Sequence, residues 1–407
     1  MINRVEHVSS IPAREPMVLR HPGGDLFLAG YWRYQDPNSE LQLWRSSDEG
    51  STWQAVDVGT PASGARGNSD VDLAVGPKGT LYFVTMGFDR QAVAGTHITV
   101  GVSTDVGQSW RWTVLSQDRG SDRPWVSVTP DGDAHIVWND GHGVRHAVSH
   151  DLGVNWQEMA RISKAGGSSH FAVGPAGELA VRITPLSASA QRYDAGVDRI
   201  AISRDGGLHW KGVTAPGHRT WVSDGDEGDK RDEKIIPRWV EPVAWDGEGA
   251  LYALWSEGER VMLARSRDAG EHWDQWELTT AESNAHYPYL IVRNNGEFAA
   301  SWFSGEGADL SVQLVHGHAP ETPADAAVLS RALSFVQPAR SGPKGNVLPV
   351  TAGEYLPLLF LSERRLAVAA VMQDALKLGP GVEVLGPGPQ GFEWRTYKLP
   401  VVSSKQR

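Results

Sequence analysis

At 407 residues the chain has room for two or three ordinary domains or for one repeat architecture. Its formal net charge of -11 argues against nucleic acid as the main partner. With no cysteine, disulfides, thiolate metal sites and a cysteine nucleophile are excluded.

In chain order, Met1-Ile2-Asn3-Arg4-Val5-Glu6-His7 has neither the basic nor the apolar stretch of a secretory leader. The expectation is a cytoplasmic protein if Met1 is the native start, or otherwise a secreted or periplasmic one whose leader has been removed. A first unit opens with Glu15-Pro16-Met17-Val18-Leu19, turns at His21-Pro22-Gly23-Gly24 and resumes with Leu26-Phe27-Leu28-Ala29. A second reads Val71-Asp72-Leu73-Ala74-Val75, then Gly76-Pro77-Lys78-Gly79, then Leu81-Tyr82-Phe83-Val84. Units 3, 4 and 5 begin near Trp125, His170 and Glu241, and two further openings follow at Tyr289-Leu290-Ile291-Val292 and Leu356-Pro357-Leu358-Leu359-Phe360. The apolar run from Leu356 to Met372 is broken by Pro357 and the turn Ser362-Glu363-Arg364-Arg365, so no membrane span is expected.

The first five units each end in the same eight-residue hairpin. It reads Ser46-Ser47-Asp48-Glu49-Gly50-Ser51-Thr52-Trp53 in unit 1. Ser, Asp, Gly and Trp return at the same offsets from Ser103 to Trp110, Ser149 to Trp156, Ser203 to Trp210 and Ser266 to Trp273. The Asp carboxylate suits bonding to backbone N–H groups across a tight bend, the Gly permits positive φ, and the Trp opens the next strand with a large apolar plate. Short apolar runs separated by turns and repeating every ~58 residues read as all-β four-stranded antiparallel blades. Counting openings gives a seven-bladed β-propeller; six blades plus a C-terminal appendage is the alternative. The propeller domain is assigned to 14–402, with 403–407 as a tail. The N-terminal segment 1–13 offers Val5 to Ile11 as a strand to close the ring. The stretch 317–352 reads as a long connection, with a short helix over 323–332.

Each unit is read as four strands, a to d, with the repeated hairpin at the c–d turn; in a propeller the a–b and c–d turns share one face, and the b–c loops and d–a connections share the other. The hairpins therefore lie opposite any pocket. Aligning the openings puts Glu15, Asp70, Arg123, Ser168, Trp239, Tyr287 and Tyr355 at one level of the pocket face. Met17, Asp72, Trp125, His170, Glu241, Tyr289 and Pro357 lie two residues further in. Just outside are Arg14, Ser69, Asp122, Gly167, Arg238, His286 and Glu354. Carboxylates, arginines and aromatic plates suit a carbohydrate ligand, with Arg123, Asp70, Trp125, His170 and Trp239 as candidate contacts. Blade-to-blade structure is the alternative role for the same side chains.

The repeated hairpin resembles the Asp-box of sialidase-like (BNR-repeat) β-propellers. That resemblance implies an exo-acting glycoside hydrolase on an anionic, sialic-acid-like sugar, with no cofactor and no metal. The family's three arginines, which fork onto a substrate carboxylate, are matched by Arg14 in Arg14-Glu15-Pro16, by Arg199 and by Arg260. The loop Gln35-Asp36-Pro37-Asn38 resembles the one holding the acid/base, which implies Asp36. Tyr287-Pro288-Tyr289-Leu290 resembles the nucleophile segment, which implies Tyr287. The family's glutamate has no match in blade 4, where Ser168-Ser169-His170-Phe171 stands. A second register uses Glu241 with Arg260 and Tyr355, but finds no arginine over 304–309. Two alternatives follow: a carbohydrate-binding or scaffold propeller without catalysis, and a polysaccharide lyase using His170 and Tyr287. The acidic loop 224–233 fails as an EF-hand counted from Asp224, because Ile235 stands where Glu is needed. It reads as a solvated loop placed to act as a lid. Oligomeric state is open.

Overall fold

The computed structural model describes residues 3–11, 14–31, 41–89, 91–92, 94–187, 192–193, 196–218, 220–221, 240–257, 260–279, 285–304, 310–321, 328–337, 355–373 and 390–400. Seven four-stranded antiparallel sheets form a ring, a seven-bladed β-propeller. Each blade's first strand, strand a, is innermost: Arg14–Arg20, Ser69–Val75, Asp122–Val128, Gly167–Val173, Val243–Trp245, His286–Val292 and Leu358–Ser362. Consecutive a strands touch around the ring. Strands b are buried on both faces, as in Leu26–Tyr31 and Ala134–Asn139, so they read as near-continuous apolar runs rather than alternating ones.

Blade 7 is assembled from both ends of the chain. Leu358–Ser362, Arg365–Gln373 and Gln390–Lys398 are completed by Asn3–Ile11, which pairs antiparallel to Gln390–Lys398. The N-terminal strand thus supplies the fourth strand of the last blade, and the ring has no open seam. The sequence expectation for the end of blade 6 needs correction. Leu310–His318 and Val328–Gln337 are its third and fourth strands, in register from Leu310 opposite Gln337 to His318 opposite Val328. Residues 328–332, expected in a helix, are strand, because the long edge of Leu310–His318 offers a full ladder that a single helical turn cannot match. No α-helix occurs among the described residues, and none is long and apolar enough to cross a membrane.

The repeated hairpin folds alike five times. In the first copy Ser46 Oγ donates to Asp48 Oδ1 at 2.8 Å, and the Thr52 N–H donates to the same oxygen at 2.8 Å. The Gly50 N–H donates to Ser46 Oγ at 2.8 Å. The Trp53 indole N–H closes the bend onto Gly50 O at 3.1 Å. The Ser and Asp bonds recur in the other four copies. Trp156 alone turns instead edge-on to Tyr82, with ring centroids 6.3 Å apart. These bonds hold the hairpin carboxylates low; that of Asp48 falls to about 2, chiefly through the Thr52 hydroxyl and N–H.

Each hairpin glycine rests on the preceding blade. Gly50 (φ 89) lies so close to Trp394 of blade 7 that a Cβ would sit 1.9 Å from the indole Nε1. Gly24 has a similar φ of 102 but open space around its Cβ position. Gly50→Ala is therefore expected to lose about 2–4 kcal/mol from overpacking plus backbone strain, and Gly24→Ala only about 1 kcal/mol. Thermal melts of the two variants check this, and equal losses would refute the seat on Trp394.

Candidate active site

Proline at the start of strand a shapes the face opposite the hairpins. It has no N–H to give the ladder, and it disturbs the residue before it. In blade 1, Arg14 pairs with Tyr31 and Met17 with Ala29, so Glu15-Pro16 faces only Gly30. Arg123-Pro124 in blade 3 and Tyr287-Pro288 in blade 6 make the same two-against-one bulge. At all three bulges the residue before proline has positive φ: Glu15 at 46°, Arg123 at 46° and Tyr287 at 50°. Such backbone costs on the order of 1–3 kcal/mol for a non-glycine residue and persists only where the surroundings enforce it. A carboxylate, a guanidinium and a phenol thus occupy strained positions at one level of three blades. All three are buried. In blades 2 and 4 a one-residue shift falls at the same level, at Asp70 and Ser169.

Glu15 accepts a hydrogen bond from the Tyr31 hydroxyl at 2.6 Å, inside blade 1. Between blades 2 and 3, Asp72 accepts from the N–H groups of Leu73 and Val126, each at 2.8 Å. Burial lifts the Asp72 carboxyl to about 7 against the pull of those two donors. Asp122, also buried, is pushed above the usual carboxylate range by burial; Arg123 opposes the rise and Asp70 adds to it. Asp70 is half-buried and accepts from Ser69 Oγ at 3.3 Å.

Aromatic rings from several blades meet inside the ring of inner strands. Trp125 packs against His170 at 5.3 Å and edge-on to Tyr355 at 5.5 Å, and His170 meets the edge of Tyr289 at 6.1 Å. Blades 3, 4, 6 and 7 meet in this aromatic plug. Burial alone drops His170 to about 4, so its ring is neutral near pH 7. Burial first, then the Asp72 charge, raises Tyr289 above the usual phenol range.

The sequence candidates are distributed as follows. Arg123 and Asp70 both act electrostatically on Asp122. Trp125, His170 and Tyr355 come together in the plug. Tyr287 is at its strained bulge. Glu241 is fully buried, and its Oε2 lies 2.6 Å from Nη2 of Arg182, which is itself fully buried. Arg199 is exposed at the start of the third strand of blade 4. Arg260 is half-exposed and 4.0 Å from Glu277 on the outer strand of blade 5. The backbone of Arg14 pairs with Tyr31. Asp36, Trp239 and the acidic loop 224–233 lie outside the described residues. Among the described residues, no cluster of three or more His, Asp or Glu could hold a metal ion.

Tyr31 and Arg182 were not read from the sequence. The signal for Arg182 was available: a lone charge inside Leu179-Ala180-Val181-Arg182-Ile183-Thr184, a strand buried on both faces, needs a buried partner.

No protein-family model matches the chain, and no curated protein matches it. Several solved structures are similar to this chain. A protein of unknown function from Dyadobacter fermentans superposes with a TM-score of 0.54 at 16% identity, over 98% of this chain and 99% of that one. A Hadza microbial sialidase gives 0.48 at 16% identity, over 72% of this chain and 63% of that one. An alpha-L-arabinanase from Penicillium chrysogenum, complexed with arabinobiose, gives 0.48 at 14% identity, over 81% and 99%. At 16% identity, the likeness to the Dyadobacter fermentans protein speaks to the fold alone.

Proposed function

We propose that this chain is a carbohydrate-active propeller, a glycoside hydrolase of the sialidase-like type with its site on the face opposite the hairpins. The observation that carries the reading is the repeated strain at Glu15, Arg123 and Tyr287. Seven repeats solve the same packing problem, and three of them hold a chemically active side chain in a costly conformation at the same level. Support also comes from the hairpin's likeness to the Asp-box and from the carboxyls that hold protons near neutrality beside that level.

In this reading Arg123 meets an anionic group of the sugar, and Arg14, Arg199 and Arg260 remain the further cations from which an acidic sugar would be held. Tyr287 or Tyr355 is the nucleophile, and Asp36 is the acid that the family resemblance implies. Trp125 and His170 form the floor. An exo-acting enzyme on a sialic-acid-like sugar is the most specific form of the proposal.

The test is a panel of fluorogenic glycosides, acidic and neutral, against wild type and Arg123→Ala. Release by wild type with a loss of roughly 100-fold or more in kcat/KM for the variant is expected. Equal rates for the two would remove Arg123 from the site, and no release from any member would remove the hydrolase.

A carbohydrate-binding propeller without catalysis is the second reading. It is favoured by Glu241, which the second register offers as the base for Tyr355 but which lies against Arg182. Calorimetric binding of a sugar that is never cleaved would establish it.

A further inference from the structure

The turn between the first two strands of blade 6, Arg293-Asn294-Asn295-Gly296-Glu297, holds chemistry that a sugar site does not use. Asn295 is the one asparagine of the sequence that precedes a glycine. Its side chain is exposed, and its Oδ1 accepts from the Glu297 N–H at 3.1 Å, the local bond that asparagine makes in turns. Gly296 is required by the fold: its φ is 79°, and an added Cβ would lie 3.1 Å from the Tyr252 hydroxyl of blade 5. No side chain therefore shields the Gly296 nitrogen from the amide carbon of the residue before it.

The same turn clasps its neighbours. The Gly247 N–H of blade 5 donates to Asn294 O at 3.0 Å. Toward blade 7, the Arg293 guanidinium donates to Ser362 O and Glu363 O and lies over Phe360, 3.9 Å from the ring centre. Glu297 is buried and pairs with both Arg293 and His316, whose Nε2 is 2.5 Å from Oε1. Within the turn the Arg293 N–H donates to Glu297 O at 2.8 Å, which fixes the two charges relative to each other.

We propose that Asn295 modifies itself by losing its side-chain amide, and that the isoaspartyl product loosens the seam of blades 6 and 7. The Gly296 nitrogen attacks Cγ of Asn295 and passes its proton to the side-chain nitrogen, which leaves as ammonia. The new bond from nitrogen to Cγ closes a five-membered imide. Water then opens either carbonyl: addition at Cγ gives aspartate, and addition at the backbone carbonyl gives isoaspartate. Water is the only co-reactant. Attack is favoured because the reacting atoms belong to one short stretch of chain, and because the Glu297 N–H donates to the oxygen on which charge develops. It waits on opening of the turn, since the Gly296 N–H is bonded to Arg293 O at 2.9 Å, and a surface turn opens without unfolding its blade.

In the isoaspartyl product the backbone runs through the former side chain and is one methylene longer, with a carboxylate added beside Glu297. The bond from Arg293 to Glu297 O can no longer close as before, and the new charge competes with Glu297 for the guanidinium. The clasp of Arg293 on blade 7 is weakened with it. This chemistry is the chain's own and holds whether or not the propeller cleaves a sugar.

The experiment incubates wild type and Asn295→Gln in mildly alkaline buffer, which helps the attacking nitrogen shed its proton, and maps the peptides by mass. Wild type is expected to exchange ammonia for water at Asn295 before any other asparagine, giving two peptides of equal mass that separate on a column. Asn295→Gln should keep its amide over the same period. Modified wild type, isolated by anion exchange through its added negative charge, should exchange backbone hydrogens in Leu358–Ser362 roughly tenfold faster than fresh protein, with Asp122–Val128 of blade 3 unchanged. Conversion of another asparagine first, or no conversion at all, would overturn the site. Exchange in Leu358–Ser362 that matches fresh protein, or that rises equally in aged Asn295→Gln, would overturn the effect on the seam.

Discussion

Replacing Arg182 with methionine is expected to destabilise the protein by on the order of 3–5 kcal/mol, the cost of removing one partner of a buried ion pair. The side chains of Arg182 and Glu241 are 0% and 1% exposed, and the contact is 2.6 Å. Such a pair gains Coulomb energy at the expense of two desolvations, so its net contribution is small while the cost of breaking it is large. The double variant Arg182→Met, Glu241→Met should consequently recover most of the loss, since neither charge is left behind. Urea unfolding of the two single variants and the double variant gives the coupling. A single-variant loss under about 1 kcal/mol, or a double variant no better than the singles, would falsify the buried pair.

The same cycle bears on chemistry. If Glu241 served as the base for Tyr355, the double variant would be stable and inactive. If Glu241 serves the seam of blades 4 and 5, the double variant would be stable and active. The hydrolase proposal with Tyr287 as nucleophile expects the second result.

The architecture was legible in the sequence because it is made of local rules repeated. A Ser-to-Asp bond, a glycine at positive φ and a tryptophan three residues later are decided within eight residues, and the bond and the glycine look the same in every copy. The site was less legible because bulges place it. One extra residue on an inner strand moves every later side chain to the opposite face, and alternation in the sequence carries no mark of where the extra residue falls. Blade 5 shows the consequence. Its opening was aligned through Glu241, but the Leu254 N–H donates to Pro242 O, which puts Pro242 at the level of Met17 and Trp125. Glu241 is thereby one residue further out, on the seam with blade 4, where Arg182 meets it. The helix expected over 323–332 gives way to strand from Val328 on for a related reason. Alanine-rich composition favours helix only until a neighbouring strand edge offers a ladder, and Leu310–His318 is such an edge.

Acidification from pH 6.5 to 4.5 is expected to destabilise the protein, and the His135–His146 pair in blade 3 is one source of the effect. The two rings are fully buried, stacked at 5.3 Å, and share a hydrogen bond of 3.0 Å between Nδ1 of His135 and Nε2 of His146. Burial drops His135 to about 4; nearby Asp133 opposes the shift and His150 adds to it. Burial and then His135 drop His146 to about 3. A histidine with a depressed folded pKa contributes stability above its unfolded pKa of 6.5. It loses that contribution as pH falls toward the folded value, at about 1.4 kcal/mol per pH unit for each ring. His170 acts in the same direction. Asp72 and Asp122, whose carboxyls are raised, act in the opposite one: their contribution is complete at low pH and fades as pH rises.

Five depressed rings, His97 and His318 among them, against two raised carboxyls leave wild type losing stability on acidification. Removing the pair as His135→Leu, His146→Met takes away two of the five, so that the variant should lose less over the same range. The difference in slope is expected to be roughly 2.7 kcal/mol per pH unit, because every other titrating group is common to the two proteins and cancels. Urea unfolding at half-unit pH steps measures it, and parallel slopes would show that the rings titrate freely. The mechanical consequence follows from position. His146 is the seat for Gly207 of the blade 4 hairpin, whose Cβ position lies 2.2 Å from its Cε1, and it packs edge-on to Trp210 at 5.7 Å. A protonated His146 must seek water past that hairpin, so acid should open the ring first at the seam between blades 3 and 4. Hydrogen exchange at low pH should accordingly rise from Ser203 to Trp210 before it rises in the equivalent hairpin from Ser103 to Trp110, whose glycine rests on Phe27 and Val56.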